Sequence, residues 1–317
     1  MNANEINPLE QTLCTLFDRS ILNAVNKTYR SKKKPALQEP DYVAALTKYF
    51  TVDLATLLNV LYPDYDFTAS SVYCHQKPIV DINASKKPEL GDILFVYSEK
   101  QEDGSTRYNS LLLQAKICNR SVMRVPASDQ HQLSLYKYWP TFTYHRANFL
   151  NGHTRDIQPK AINDGAQYLL IDTNPFTNGL IGFPNTFPMG CAIPNDTLII
   201  DKRFSAELVD FLKFKSGRIF EEDPILTHDD WTKMIWDLLL MGTFDYSRRN
   251  IGFNKVKRGV YCSNQAGFSQ TEIYAKLNEY SVSFDNYILD DDFMDDINRG
   301  VSVVMIERRT KTRTDNE

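Results

Sequence analysis

The stretch that decides the fold is Leu111-Leu112-Leu113-Gln114-Ala115-Lys116. Three leucines followed by alternating polar residues are typical of a buried strand that ends at the edge of a core. Because side chains alternate along a strand, Gln114 and Lys116 would emerge on one face and Ala115 on the other. The stretch therefore predicts a strand end at which a carbonyl acceptor and an ammonium group share one site.

An acidic residue begins the preceding predicted strand. Asp92 stands directly before the apolar run Ile93 to Tyr97, and the polar residues 98–106, with Asp103-Gly104, are typical of a turn between antiparallel strands. Such a hairpin would bring Asp92 close to Gln114. A second Gln-x-Lys, Gln158-Pro159-Lys160, lies in a loop-like context without a strand pattern, so only the first predicts a strand-end site.

These residue types suit phosphodiester hydrolysis with a divalent metal ion. Mg²⁺ prefers oxygen ligands, which the Asp92 carboxylate, the Gln114 side-chain carbonyl and the Ala115 backbone carbonyl would supply. Lys116 would orient the attacking water or offset the charge that develops on the phosphate. The alternative is an ordinary polar strand end whose Lys extends into solvent.

Asp92, a hairpin and then Gln114-Ala115-Lys116 resemble the PD-(D/E)XK nuclease superfamily, in the variant in which Gln replaces the acidic residue, as in Mrr-like restriction nucleases. The resemblance covers about residues 35 to 175. It implies Mg²⁺, or Mn²⁺, as the cofactor and DNA as the substrate. It also implies an αβββαβ core, whose expected elements are a helix from about Pro40, a strand 71–82, the hairpin 92–117, a helix near 129–139 and a strand 168–172.

Glu39 is a further acidic candidate for the site. It precedes a run, Tyr42 to Leu61, whose apolar residues recur at helical spacing. In resolvase-like and Mrr-like nucleases a Glu on this first helix reaches the metal site, so the resemblance implies Glu39 as a third carboxylate-type ligand or a group that organises water, and as a catalytic residue in either case. The alternative is an acidic residue favoured by the helix dipole. Glu89, three residues before Asp92, is an alternative to Asp92 as the acidic ligand.

Gln132 and Tyr136 form a looser motif. RecB-like nucleases carry Gln-hydrophobic-x-x-Tyr on the helix after the lysine strand, and residues 132–136 are similar. The i, i+4 spacing places both side chains on one helical face, where they would contact a phosphate or the catalytic Lys. The alternative is a core Tyr beside a surface Gln.

The expected fold class is α/β, with a restriction-endonuclease-like αβββαβ core, a mixed central sheet flanked by helices, and a mainly helical C-terminal extension. The expected division of the chain is a helical and basic lead-in (1–34), the nuclease core (35–175), an accessory α+β region (176–306) and a disordered charged tail (307–317).

Composition favours a cytoplasmic enzyme. The chain has 317 residues, 42% of them hydrophobic, with no apolar run of about 20 residues and a polar rather than signal-like start. Its five widely spaced cysteines indicate neither a disulfide framework nor a zinc ribbon. The net charge of −4 conceals a basic region, since residues 100–160 hold nine Lys and Arg against four acids, a balance of +5.

We therefore expect a Mg²⁺-dependent DNA endonuclease of the kind that serves restriction or anti-phage defence, gated by a partner or by oligomerisation. No phosphate-binding Gly-rich loop occurs in the sequence, so a separate regulatory protein would have to supply ATP hydrolysis or sensing. Two alternatives stay open. One is a degenerate nuclease fold that binds DNA or protein without cutting, and the other is an α/β interaction protein organised by the acidic run 289–296.

Overall fold

The computed structural model describes residues 8–31, 36–74, 78–84, 86–178, 185–250, 273, 276–277 and 300–311. Its helices are α1 (Pro8–Ser31), α2 (Glu39–Ala45), α3 (Thr51–Leu61), α4 (Gln130–Tyr138), α5 (Phe204–Leu212) and α6 (Asp230–Asn250). Its strands are β1 (Tyr65–Val72), β2 (Ile79–Asp81), β3 (Ile93–Lys100), β4 (Thr106–Ile117), β5 (Val122–Arg124), β6 (Phe142–Arg146), β7 (Thr154–Arg155), β8 (Ala166–Asn178), β9 (Asn185–Ala192), β10 (Thr197–Ile199), β11 (Lys202–Arg203), β12 (Arg218–Phe220) and β13 (Ser302–Thr310).

A mixed eight-stranded sheet lies at the centre of the molecule. Its strand order is β1-β13-β3-β4-β8-β9-β11, and β12 pairs with β4 off this path. The hairpin prediction is confirmed, because β3 and β4 pair antiparallel. β3 is parallel to β13, and β4 is parallel to β8. Two smaller sheets, β5-β10 and β2-β6-β7, complete the described strands. The chain is thus an α/β protein with a mixed central sheet, as the sequence predicts.

The two faces of the sheet carry two separate cores, as the strict alternation of side chains requires. Phe95, Leu113 and Ala115 pack with α1, α2, α3 and α5 on one face. Leu94 and Leu112 pack with α4 and α6 on the other. Asp92 is two residues from Leu94, and Gln114 and Lys116 are two and four residues from Leu112, so their side chains point to the same face of the sheet as these leucines. They therefore emerge on the α4 side of the sheet, at the end where β3 begins and β4 ends.

The predicted strand 71–82 is wrong in its bounds. The chain forms β1 up to Val72 and a separate β2 from Ile79. Cys74 does not extend the pairing of β1 with β13. Its backbone N–H donates to the Ser302 hydroxyl at 3.1 Å, and its carbonyl accepts from the same hydroxyl at 2.7 Å. The side chain of Ser302 thus ends β1 and fixes the start of β13 beside it.

The C-terminal part of the chain also differs from expectation. In the residues that the structure describes beyond 175, no mainly helical extension is seen. β9, β11, β12 and β13 join the central sheet, and β13 lies between β1 and β3. Residues 307–310, expected in a disordered tail, continue β13 because they pair with β1 on one side. The division near residue 175 stays a prediction, and residues 312–317 and the acidic run 289–296 lie outside the described ranges.

The helical stretch Glu39–Leu61 is long and apolar enough, at 23 residues and a mean hydropathy of 1.2, to pass a length and composition test for a membrane span. A core helix passes the same test. Here the stretch packs on the sheet through buried residues such as Leu46, Phe50 and Leu54. Its first residue, Glu39, lies at the sheet end that carries Asp92 and Lys116.

Candidate functional site

The hairpin brings Asp92 onto the end of β4. One oxygen of its carboxylate, Oδ2, accepts a hydrogen bond from the Gln114 side-chain amide and another, at 2.8 Å, from the backbone N–H of Ala115. The backbone N–H of Asp92 donates in turn to the Leu113 carbonyl at 3.0 Å. Asp92 and Gln114, 22 residues apart, are therefore in direct contact, as their sequence context predicts.

Glu39 reaches the same strand end from the opposite layer. Its Oε1 accepts a hydrogen bond of 3.0 Å from the backbone N–H of Ile117. Since β3 begins only at Ile93, the edge of β4 beyond Leu113 is open to these two carboxylates, which take the N–H groups of Ala115 and Ile117. The N–H and C=O of one strand residue point to the same edge, so the Ala115 carbonyl also faces the site.

The charges of three carboxylates influence one another at this strand end. Burial raises the pKa of Asp92 to about 7, with further contributions from the negative charges of Glu89 and Glu39. Burial also raises the pKa of Glu89, and Glu39 adds to the effect. Of Asp92 and Glu89, Asp92 is the one that accepts hydrogen bonds from the Gln114-Ala115 segment in the described contacts, which makes it the better placed candidate ligand. The site carries excess negative charge in a desolvated place, which is the environment that a cation relieves.

Lys116 is held by a partner that the sequence analysis did not identify. Its Nζ lies 2.9 Å from Oδ2 of Asp129, at the start of α4. Burial acts to lower the pKa of Lys116, but the hydrogen bond to Asp129 and the charge of Glu39 outweigh it, so the pKa is raised. Lys116 therefore stays protonated at neutral pH. A protonated lysine can offset negative charge on a phosphate, but it cannot act as a general base. The only available sequence clue was the position of Asp129 three residues before Gln132.

One buried acceptor in this site has no hydrogen-bond donor among the described residues. Among the described residues, nothing donates a hydrogen bond to Gln114 Oε1, although the side chain is only 5% exposed. A buried carbonyl oxygen without a donor is costly unless water or a cation meets it. No three His, Cys, Asp or Glu side chains within the described ranges form a metal-binding group by themselves. A divalent ion here would therefore need the carbonyl oxygens of Gln114 and Ala115 beside Asp92 and Glu39, and these residues fit that role.

The helix α4 supports the site from the other side. Tyr136 is fully buried, and its hydroxyl donates a 2.9 Å hydrogen bond to the Leu90 carbonyl, two residues before Asp92. Its ring stacks on Trp139 with the planes 14° apart. Tyr136 thus positions the backbone that leads to Asp92, and its buried ring is closed to direct contact with a phosphate. Gln132, one turn earlier, is buried with Nε2 unbonded by any described residue.

Replacing Tyr136 by Phe removes the hydrogen bond to Leu90 and leaves that carbonyl buried without its donor. We expect the free energy of unfolding to fall by about 1–2 kcal/mol. The control is Tyr138→Phe on the same helix, where the ring is 54% exposed and no comparable loss is expected. Urea unfolding of the three proteins measures the difference, and equal stability of both variants would contradict the positioning role of Tyr136.

Comparison with models of known protein families, with curated proteins and with solved structures finds no match to this chain.

Proposed function

We propose that the protein is a metal-dependent DNA endonuclease with a restriction-endonuclease-like core. The observation that carries the proposal is the convergence of Asp92, Gln114, Lys116 and Glu39 on one strand end. Three of them come from the hairpin, and Glu39 comes from a separate helix 78 positions before the residue it bonds. An ordinary polar strand end offers no reason for a distant carboxylate to reach the same place.

The residues of the site have three kinds of role in the proposed reaction. Asp92, Gln114, Ala115 and Glu39 would hold Mg²⁺ or Mn²⁺ through oxygen atoms. The ion, when bound, supplies Lewis-acid stabilisation of a phosphate oxygen. Lys116, which stays protonated, would offset the charge on the phosphate while a water molecule forms a new P–O bond and the bond to the leaving oxygen breaks. Asp129 keeps the Lys116 ammonium in place, and Tyr136 fixes the backbone before Asp92.

The second candidate function is a degenerate nuclease fold that binds DNA without cutting. A specific observation favours it: Gln114 donates its amide to Asp92, and Lys116 is paired with Asp129, so the polar groups already satisfy one another in part. The charge balance argues the other way. Lys116 is opposed by Asp92, Glu39, Glu89 and Asp129, and a single ammonium does not neutralise them.

Incubation with an end-labelled DNA duplex separates the two candidates. The nuclease proposal predicts cleavage with Mg²⁺ or Mn²⁺ and none in EDTA. A degenerate module would shift the duplex in a gel without cutting it under any metal condition. An absence of both binding and cleavage would contradict both candidates. The restriction or anti-phage context, the cytoplasmic location and gating by a regulatory partner or a second copy remain part of the proposal. Cleavage that depends on an added protein or on self-association would support the gating.

A further inference from the structure

A short two-stranded ribbon includes β5, which lies in the chain segment between the two partners of the Lys116–Asp129 ion pair. β5 and β10 pair antiparallel, with Val122 directly opposite Ile199, and neither strand joins the central sheet. The chain that carries β5 leaves the site at Lys116 and returns to it at Asp129, and these two side chains form an ion pair of 2.9 Å. Every residue of β5 therefore lies within about 27 Å of Lys116, since an extended chain spans about 3.4 Å per residue.

The outer face of this ribbon is unusually apolar for an exposed surface. Val122 is 46% exposed and Ile199 is 54% exposed, and they form one cross-strand pair. On the inner face, Leu198 is fully buried and Met123 packs against the same core. The inner pair is enough to attach the ribbon to the protein. The outer pair keeps about half of its surface exposed, which leaves apolar surface available to a partner.

The outer face is also basic. Arg124 is two residues after Val122 in β5, so its side chain lies on the same outer face. Arg120 precedes the strand, and both arginines are exposed. Within the described part of the chain, neither guanidinium has a carboxylate partner. Other cations of the basic region are engaged, since Lys137 pairs with Asp196 and Arg155 with Asp237. Of the four exposed arginines of this region without a carboxylate partner in the described part of the chain, two, Arg120 and Arg124, lie on the ribbon; the other two are Arg107 and Arg146.

We propose that the β5-β10 ribbon docks in the major groove of the DNA duplex whose backbone occupies the site; this inference rests on the proposed function. The arginines would contact phosphates, and Val122 with Ile199 would pack on apolar base edges such as the thymine methyl group. The major groove of B-form DNA is about 12 Å wide and admits a two-stranded ribbon. The deep, narrow major groove of A-form RNA does not, so the chemistry favours DNA.

The test measures binding of the full-length protein to a fluorescent 24-base-pair DNA duplex in EDTA, over a series of salt concentrations. Arg120→Ala combined with Arg124→Ala should weaken binding about tenfold and lower the slope of log K against log salt by about 2. Val122→Ser combined with Ile199→Ser should weaken binding severalfold and leave the slope unchanged. The matched control is Arg19→Ala with Lys27→Ala, two exposed cations on α1, which should bind like the wild type.

Each outcome decides one question. If the wild type binds and cleaves DNA but both ribbon variants bind like the control, the ribbon proposal is overturned and the nuclease proposal stands. If the wild type neither binds nor cleaves DNA, the proposed function fails and the ribbon proposal fails with it. If an RNA duplex of the same sequence binds equally well and is equally sensitive to the ribbon variants, insertion into a B-form major groove is excluded. All four substituted ribbon side chains are exposed, so circular dichroism should show unchanged folding.

Discussion

Asp92→Asn should abolish cleavage, with a fall in rate of about 10³-fold, and should weaken Mn²⁺ binding at least about tenfold. Asn keeps an oxygen that accepts the hydrogen bond from Ala115 but removes the charge that the cation requires. Calorimetric titration of Mn²⁺ measures the affinity, and a labelled duplex measures the rate. A variant that binds Mn²⁺ and cuts like the wild type would exclude Asp92 as a ligand.

The same substitution should stabilise the metal-free protein at pH 8. Burial raises the pKa of Asp92 to about 7, well above the ordinary value of an aspartate, so between these two values the native state retains a proton that the unfolded chain has released. Stability is therefore lost as the pH rises from about 4 to about 7, and the loss is complete above pH 7. Asn does not ionise. In EDTA we expect it to raise the free energy of unfolding by about 2–4 kcal/mol at pH 8 and to have little effect below pH 4.

The urea unfolding curves of wild type and Asp92→Asn at pH 4 and pH 8 test this expectation. Such a gain in stability at the expense of activity is typical of functional sites. Equal stability of the two proteins at pH 8 would show that the ionised Asp92 carboxylate does not destabilise the native state.

Lys116→Ala should reduce the cleavage rate by about 10²–10³-fold without weakening Mn²⁺ binding, because the change removes a positive charge beside the carboxylates. The ammonium is paired with Asp129 and does not serve as a metal ligand in the proposed site, so only the step in which phosphate charge develops should suffer. The control is Lys137→Ala, another partly exposed lysine paired with an Asp, on α4. Single-turnover cleavage of a labelled duplex gives the rates. Equal losses in both variants would indicate a general effect of charge on DNA binding.

The local parts of the site could be predicted from the sequence. A hairpin joins Asp92 to Gln114 through one short turn, and alternation in β4 fixes which face Gln114 and Lys116 share. Glu39 was predicted only through the resemblance, because no local rule brings a helix start to a strand end 78 residues later. The Lys116 ion pair with Asp129 was missed for the same reason, since it depends on where α4 packs.

The arrangement of the sheet was harder to predict. The apolar run Val301 to Ile306 predicts a strand, but its pattern does not predict the strands with which it pairs. In the structure β13 lies between β1 and β3, more than 200 residues away in sequence. That insertion also divides the predicted strand 71–82, because Ser302 takes the backbone hydrogen bonds of Cys74. Long-range pairing of this kind is set by tertiary packing and not by local pattern.

The most direct measurement is the nicking of a supercoiled plasmid by the purified protein in Mg²⁺ or Mn²⁺, beside an EDTA reaction and a Lys116→Ala preparation made in the same way. We predict open-circular or linear DNA in the wild-type metal reactions and intact plasmid in the other two. Cleavage of equal rate by the Lys116→Ala preparation would contradict the assigned site, and an intact plasmid in every reaction would contradict a nuclease that acts without an added partner.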